Sequence, residues 1–140
     1  MESFNLAIVG GRDFKNYDMA LKHFYRFLQD NMSELKGREL FIVSGGAIGV
    51  DSIAELIADK FNIKKKIFKA DWNNLDAQPC RVRYNKYSEP YNCLAGINRN
   101  KLIVNECDFA LIFWNGNSKG TANDIELCKE YGKRFEVISY

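Results

Sequence analysis

The chain has 140 residues, of which 46% are hydrophobic, 14% aromatic and 27% charged. This composition is typical of a globular domain with one core, and it excludes an intrinsically disordered chain. The 20 Lys and Arg residues and 18 Asp and Glu residues leave a formal net charge of only +2. Because proteins that bind nucleic acid mainly through its phosphates usually carry a much larger positive charge, we do not expect nucleic acid as a partner.

The cysteines and the apolar runs exclude further classes of protein. The four cysteines form no Cys-x-x-Cys pair, and His23 is the only histidine, so we expect neither a metal site nor a cofactor held by one. No apolar run approaches the length of a membrane-spanning helix, and the first residues include no basic segment of a signal peptide. We therefore expect a cytoplasmic protein with reduced thiols and no membrane contact.

Short apolar runs alternate with helical periodicity along the chain. The runs at 5–9, 40–43, 64–69, 109–114 and 135–139 predict five strands, and a 3.6-residue period predicts helices over 17–35, 50–61, 94–104 and 121–131. Thr121 and Asp124 fit a Thr-x-x-Asp capping pattern at the start of the last helix. The alternation predicts one α/β domain over 1–140, a three-layer, doubly wound, Rossmann-like fold with a mainly parallel sheet and helices on both faces.

The segment 71–93 interrupts this alternation and contains both prolines of the chain. Basic and aromatic residues are interleaved over 81–91, as in loops that close over a base or a phosphate. The alternative is an insertion that packs its own aromatic rings. The sequence favours neither interpretation.

Glycine-rich segments follow three predicted strands. In an open α/β sheet, ligands bind beyond the carboxyl ends of the strands. Glycine permits close approach of the backbone, and a helix that begins there presents free N–H groups to a phosphate. No segment alone is a standard phosphate motif, but together they predict a nucleotide or nucleotide-derived ligand. The predicted binding residues of these segments are Gly10, Gly11, Arg12, Ser44, Gly45, Gly46, Gly49, Asn115, Gly116, Ser118, Lys119, Gly120 and Thr121.

Asp51 has two interpretations. An acid in the first turn of a helix interacts favourably with the helix dipole, so capping explains it. The alternative is a contact to a ribose hydroxyl, by analogy with acidic residues in other Rossmann sites.

Six ordered motifs resemble a known family. They are Val-x-Gly-Arg-Asp-Phe near the start, Ser44-Gly-Gly-Ala-Ile-Gly-Val-Asp51, Ala70-Asp-Trp72, Ala95-Gly-Ile-Asn-Arg-Asn100, Asp108 and Phe113-Trp-Asn-Gly-Asn-Ser-Lys-Gly-Thr121. Together they resemble the YspA-like (YAcAr) branch of the SLOG superfamily, which also contains DprA/Smf DNA-processing proteins and Lonely-guy phosphoribohydrolases. The resemblance implies a Rossmann-like domain of phage or bacterial type that senses or sequesters a nucleotide. It also implies that Arg99 and Asn100 face the ligand, and that a homodimer or higher homo-oligomer can form.

The Lonely-guy branch implies an enzymatic alternative. Arg99 and Asp124 occupy the places of its catalytic Arg and Glu, which implies cleavage of the N-glycosidic bond of nucleoside 5′-monophosphates. The acid is one methylene shorter here, and Asn117-Ser118-Lys119 replaces the first glycines of the loop. The DprA branch implies a second alternative, single-stranded DNA binding, which in this sequence is supported only by the segment 81–91.

Overall fold

The computed structural model describes residues 2–140. None of the helices formed by these residues is long and apolar enough to cross a membrane. The elements in chain order are β1 (Ser3–Gly10), α1 (Tyr17–Asp30), α2 (Met32–Leu35), β2 (Glu39–Ser44), α3 (Val50–Lys60), β3 (Lys64–Ile67), β4 (Val82–Tyr84), β5 (Pro90–Asn92), α4 (Ala95–Glu106), β6 (Phe109–Trp114), α5 (Lys119–Glu130) and β7 (Arg134–Ser139).

Five strands form one parallel sheet in the order β3-β2-β1-β6-β7. Alternate side chains of β1 enter two separate cores, because successive residues of a strand point to opposite faces. Leu6 and Ile8 pack with α1 and α3 on one face, whereas Ala7 and Val9 pack with α4 and α5 on the other. The predicted three-layer, doubly wound α/β fold is therefore confirmed.

The strand order places a crevice beside the end of β1. The chain moves outward from β1 through β2 to β3, then returns to the other side of β1 to form β6 and β7. The direction of winding thus changes between β1 and β6, the position at which ligands bind in open α/β sheets. Gly10 is paired with Phe113 at this point, and the Gly11 N–H donates to the Phe113 carbonyl oxygen at 3.2 Å.

Two helix boundaries differ from the prediction. The predicted helix over 17–35 is interrupted at Asn31, whose side-chain amide donates to the Phe27 carbonyl oxygen at 2.8 Å, and only a single turn, α2, follows. The capping role predicted for Thr121 and Asp124 is wrong. Ser118 caps α5 instead, because its hydroxyl accepts from the Thr121 N–H at 3.3 Å.

The segment 71–93 contains an antiparallel hairpin formed by β4 and β5. Its turn is held by Asn85, whose side-chain oxygen accepts from the Tyr87 and Glu89 N–H groups at 2.8 and 3.1 Å. At its base, the Asn92 N–H donates to the Trp72 carbonyl oxygen at 2.7 Å. We call residues 81–92 the hairpin arm, and every residue from 81 to 90 is exposed.

Candidate ligand-binding crevice

A crevice of about 490 Å³ opens at the carboxyl ends of β1 and β6. Its volume is within the range of small-molecule sites. Loops after β1, β2 and β6 all contribute to its walls, as the strand order requires. The predicted site residues that line it are Gly10, Gly11, Arg12, Asp51, Arg99, Asn100, Ser118, Gly120, Thr121 and Asp124.

A second cavity of about 400 Å³ adjoins the crevice and shares Arg12, Ala47, Trp72 and Arg99 with it. The predicted residues Gly45 and Gly46 line this second cavity rather than the crevice. Lys69 also lines it. Cationic side chains are therefore concentrated around the second cavity and the shared wall.

Some predicted binding residues line neither cavity and instead shape the loops. The Ser44 hydroxyl donates to the Asp51 carbonyl oxygen at 3.3 Å. The Asn115 side-chain oxygen accepts from the Asn117 and Ser118 N–H groups at 2.8 and 2.9 Å. The predicted residues outside both cavities are Ser44, Gly49, Asn115, Gly116 and Lys119.

Gly49 brings the first two loops into contact. Its φ is +81°, and a Cβ at this position would collide with the Gly11 carbonyl oxygen and lie 2.6 Å from the Arg12 Cα. The next residue, Val50, donates its N–H to the same Gly11 oxygen at 3.2 Å. Glycine is therefore required here both by the backbone conformation and by the close approach of two loops.

Arg99 braces the second loop from helix α4. Its Nη1 donates to the Gly45 carbonyl oxygen at 2.7 Å, and its Nε donates to the Asn100 side-chain oxygen at 3.0 Å. A Cβ on Gly45 would collide with the same guanidinium. Arg99 thus holds the loop in place while it lines both cavities.

Asp51 closes the second loop instead of capping its helix. Its carboxylate accepts from the Ala47 N–H at 3.2 Å, four residues before it. Burial raises the pKa of Asp51 to about 6, although the Ala47 N–H and the charge of Arg99 act in the opposite direction. Some protonation at neutral pH is the expected consequence.

Asp124 lies in the same crevice and is 6% exposed. Its Oδ1 has no hydrogen-bond partner among residues 2–140. Burial, and then the charge of Asp51, raises the pKa of Asp124 to about 8, whereas Arg99 lowers it. Within the same part of the chain, no three His, Cys, Asp or Glu side chains are grouped so that they could hold a metal ion.

Trp72 is the main wall residue that was not among the predicted site residues. Trp72 lines both cavities, and the centre of its ring lies 6.5 Å from that of Tyr91. Gly96 of α4 leaves room for the indole, since a Cβ at position 96 would lie 3.4 Å from it. The Ala70-Asp-Trp72 motif was the available signal. Asp13 was also missed; hydrogen bonds from Tyr140 and Asn115 hold its carboxylate and lower its pKa.

Comparisons with known proteins relate the chain to DNA-processing proteins. A family model described as DNA recombination-mediator protein A matches residues 1–65. DNA processing protein A from Helicobacter pylori, described by its unique single-stranded DNA binding mode, is 22% identical with a TM-score of 0.64 over 99% of this chain and 66% of that one. The X-ray structure of DNA processing protein A (DprA) from Streptococcus pneumoniae is 21% identical with a TM-score of 0.66 over 99% of this chain and 51% of that one. No curated protein matches the chain.

The chain thus spans 66% and 51% of the lengths of these two proteins. The expectation that nucleic acid is not a partner is wrong, because the Helicobacter pylori protein, which shares this fold, binds single-stranded DNA. A net charge of +2 averages over the surface, so it did not justify that exclusion. The family match and the shared fold support placing the chain in the SLOG superfamily, whereas the YspA-like branch is not confirmed.

Proposed function

We propose that the protein binds single-stranded DNA along a surface that runs from the crevice to the hairpin arm. The observation that carries the proposal is the exposure of every residue from 81 to 90, in an arm attached directly to the crevice wall. The description of the Helicobacter pylori relative by its single-stranded DNA binding mode supports the proposal.

The arm combines exposed rings with unpaired cations. Tyr84 and Tyr87 are 67% and 70% exposed, and aromatic rings provide stacking surfaces for unpaired bases. Arg81, Arg83 and Lys86 lie among these rings and form no ion pair within residues 2–140. Cations interleaved with rings can neutralise the phosphates of a strand whose bases stack on the rings.

The arm is continuous with the crevice through Trp72. The Trp72 carbonyl oxygen accepts the Asn92 N–H at the base of the arm, and its ring is in contact with Tyr91. The same ring lines both cavities beside Arg12, and Lys69 completes the second cavity. A strand that stacks on the arm can therefore reach the cations of the crevice without leaving the surface.

A different basic run does not belong to this surface. Lys64, Lys65 and Lys66 are paired with Glu39, Asp59 and Glu106 at 3.0, 2.7 and 2.7 Å. Because each ammonium already faces a carboxylate, this edge of the sheet contributes little attraction for phosphate.

Fluorescence anisotropy with a labelled single strand of about 20 nucleotides tests the proposal. The association constant should fall by at least about tenfold between about 50 and about 200 mM salt, because phosphate contacts release counterions. Substituting Arg81, Arg83 and Lys86 together by alanine should lower the slope of log K against log salt by about 2, at about 0.7 per lost contact.

The matched control removes three exposed cations from the α1–α2 surface, as Lys22→Ala, Arg26→Ala and Lys36→Ala in one variant. It loses the same net charge, so its slope should remain close to that of the wild type. Absence of binding at low salt would overturn the proposal. So would an equal effect of the two triple variants, since net charge would then explain the binding.

A free nucleotide or nucleotide derivative is the second candidate ligand. The volume of the crevice, about 490 Å³, suits a ligand of this size, and the Arg12 backbone lies against Gly49, the residue that precedes α3. Such binding would serve to sense or sequester a signalling nucleotide. A thermal-shift screen with mononucleotides, cyclic nucleotides and ADP-ribose derivatives should raise the melting temperature for at least one of them, and no shift at millimolar ligand would contradict this candidate.

Phosphoribohydrolase activity is a more specific version of this second candidate, in which the bound nucleotide is also cleaved. Arg99 and Asp124 line the same crevice, although Arg99 is held by the Gly45 carbonyl oxygen. Release of free base from AMP by the wild type, and its loss in Arg99→Ala, is the expected result. Equal inertness of both would overturn the enzymatic candidate. We also propose a cytoplasmic location and membership of the YspA-like branch.

A further inference from the structure

We propose that the floor of the crevice, which Asp51 and Asp124 form, receives a guanine base of the bound strand. Asp124 accepts hydrogen bonds from the Watson–Crick edge of this base. This inference rests on the proposed function, since it specifies which part of single-stranded DNA enters the crevice.

The crevice has an acidic floor and a basic wall. Asp51 and Asp124 are each 6% exposed and line the crevice. Arg99 lies between the two cavities, but its Nη1 is already engaged by the Gly45 carbonyl oxygen. Since a carboxylate repels a phosphate, the phosphates belong beside Arg12 and Lys69 at the second cavity, and a different chemical group belongs on the floor.

The group on the floor must donate hydrogen bonds. The Asp124 Oδ1 is buried without a partner among residues 2–140, and a buried acceptor without a partner is costly. Among residues 2–140, the Asp51 carboxylate accepts a hydrogen bond only from the Ala47 N–H. When Asp124 is ionised, which its pKa of about 8 places at mildly alkaline pH, its carboxyl has two acceptor oxygens and no donor, so the complementary ligand brings two adjacent donors.

In single-stranded DNA such donors are found on the bases. A deoxyribose within the strand has no hydroxyl group, and phosphates only accept. Guanine presents a ring N–H and an adjacent amino group, which match the two oxygens of one carboxylate. Thymine presents only one ring N–H, and the carbonyl oxygens on both sides of it are repelled by a carboxylate. Thymine therefore fits the floor less well than guanine. Trp72 provides a ring on the crevice wall against which the inserted base can stack.

The test compares strands that differ only in this amino group. Unlabelled strands of alternating guanine and thymine, or of alternating hypoxanthine and thymine, compete with a labelled thymine strand for the protein. The competition is measured a little above pH 8, where more than half of Asp124 is ionised and the ring N–H groups of both bases are still largely in place. Because hypoxanthine lacks the amino group, we expect the guanine strand to compete at least about fivefold more strongly.

Asp124→Asn tests the residue itself. The amide has nearly the same size but replaces one acceptor oxygen with a donor, so the preference for guanine over hypoxanthine should fall towards one. Asp13→Asn is the matched control, because Asp13 also lines the crevice but its carboxylate is already held by Tyr140 and Asn115. The control should change the affinity for both strands alike and keep their ratio. Thermal melting verifies that both variants are folded.

The possible results separate this inference from the proposed function. Equal competition by the guanine and hypoxanthine strands overturns the inference alone, and so does an unchanged ratio in Asp124→Asn. Failure of every strand to bind overturns the proposed function and this inference with it.

Discussion

The carboxyl groups of Asp51 and Asp124 meet in one crevice although their helices, α3 and α5, pack against opposite faces of the sheet. The charge of Asp51 contributes to raising the pKa of Asp124. The change in winding direction beside β1 creates this proximity, because the loops after β2 and β6 converge there. The crevice therefore has an acidic floor, and cations lie at its mouth.

The acid pair makes stability depend on pH. The pKa values of Asp51 and Asp124 are raised from 3.8 to about 6 and about 8. Between the ordinary pKa and the raised pKa of each group, the folded protein holds a proton that the unfolded chain releases. The free energy of unfolding therefore falls as pH rises from about 4 to about 8. Thermal melts across this range should show the fall, with the upper part of it, above about pH 6, due mainly to Asp124.

Asp124→Asn removes one of the two titrations. We expect its loss of stability between about pH 6 and about pH 8 to be smaller than that of the wild type by about 1.4 kcal/mol or more, the equivalent of one pKa unit. A parallel pH dependence of the two proteins would contradict the raised pKa of Asp124.

Gly49→Ala should destabilise the protein through backbone strain and collision with the first loop. Gly37 provides the control, because its φ of +76° is similar to the +81° of Gly49 but nothing lies within 4 Å of its Cβ position. Urea denaturation should give a loss of about 1 kcal/mol for Gly37→Ala and at least about 3 kcal/mol for Gly49→Ala. Equal losses would mean that the contact with Gly11 and Arg12 contributes nothing.

Substitutions of Arg99 separate its charge from its hydrogen bonds. Arg99→Ala and Arg99→Lys should both lose about 1.5–3 kcal/mol, since neither reproduces the guanidinium bond to the Gly45 carbonyl oxygen. Only Arg99→Ala removes the positive charge, so it should raise the pKa of Asp124 further, whereas Arg99→Lys should change it less. Carboxyl NMR titration measures this, and a lowered pKa in Arg99→Ala would be the contrary result.

The sheet and its loops could be predicted because their signals are local. The apolar run at 109–114 and the glycines after three of the strands identify β6 and the crevice edge without knowledge of any distant contact. The hairpin arm could not be predicted in the same way, since β4 and β5 have only three residues each and the attachment of the arm to the crevice wall depends on the bond from Asn92 to Trp72. Ser118 shows that a local signal can also mislead. Both Ser118 and Thr121 are residue types that cap helices, and the structure uses Ser118 rather than Thr121 at the start of α5.

The net charge was a misleading guide to the binding partner, and the reason is physical. The basic run over 64–66 is neutralised by carboxylates that other elements supply, whereas the cations over 81–86 remain unpaired within residues 2–140. Net charge adds both groups together, so it carries no information about which cations are free. Only the tertiary structure distinguishes them.

Two-dimensional ¹H–¹⁵N NMR during titration with a single strand of about 20 nucleotides tests the central claim most directly. We predict that the indole N–H of Trp72 and the amides of residues 81–89, of Tyr91 and of Arg12 shift together, whereas amides of the exposed α1–α2 surface do not. Shifts confined to that α1–α2 surface, or no shifts at either Trp72 or the hairpin arm, would contradict the proposed single-stranded DNA surface.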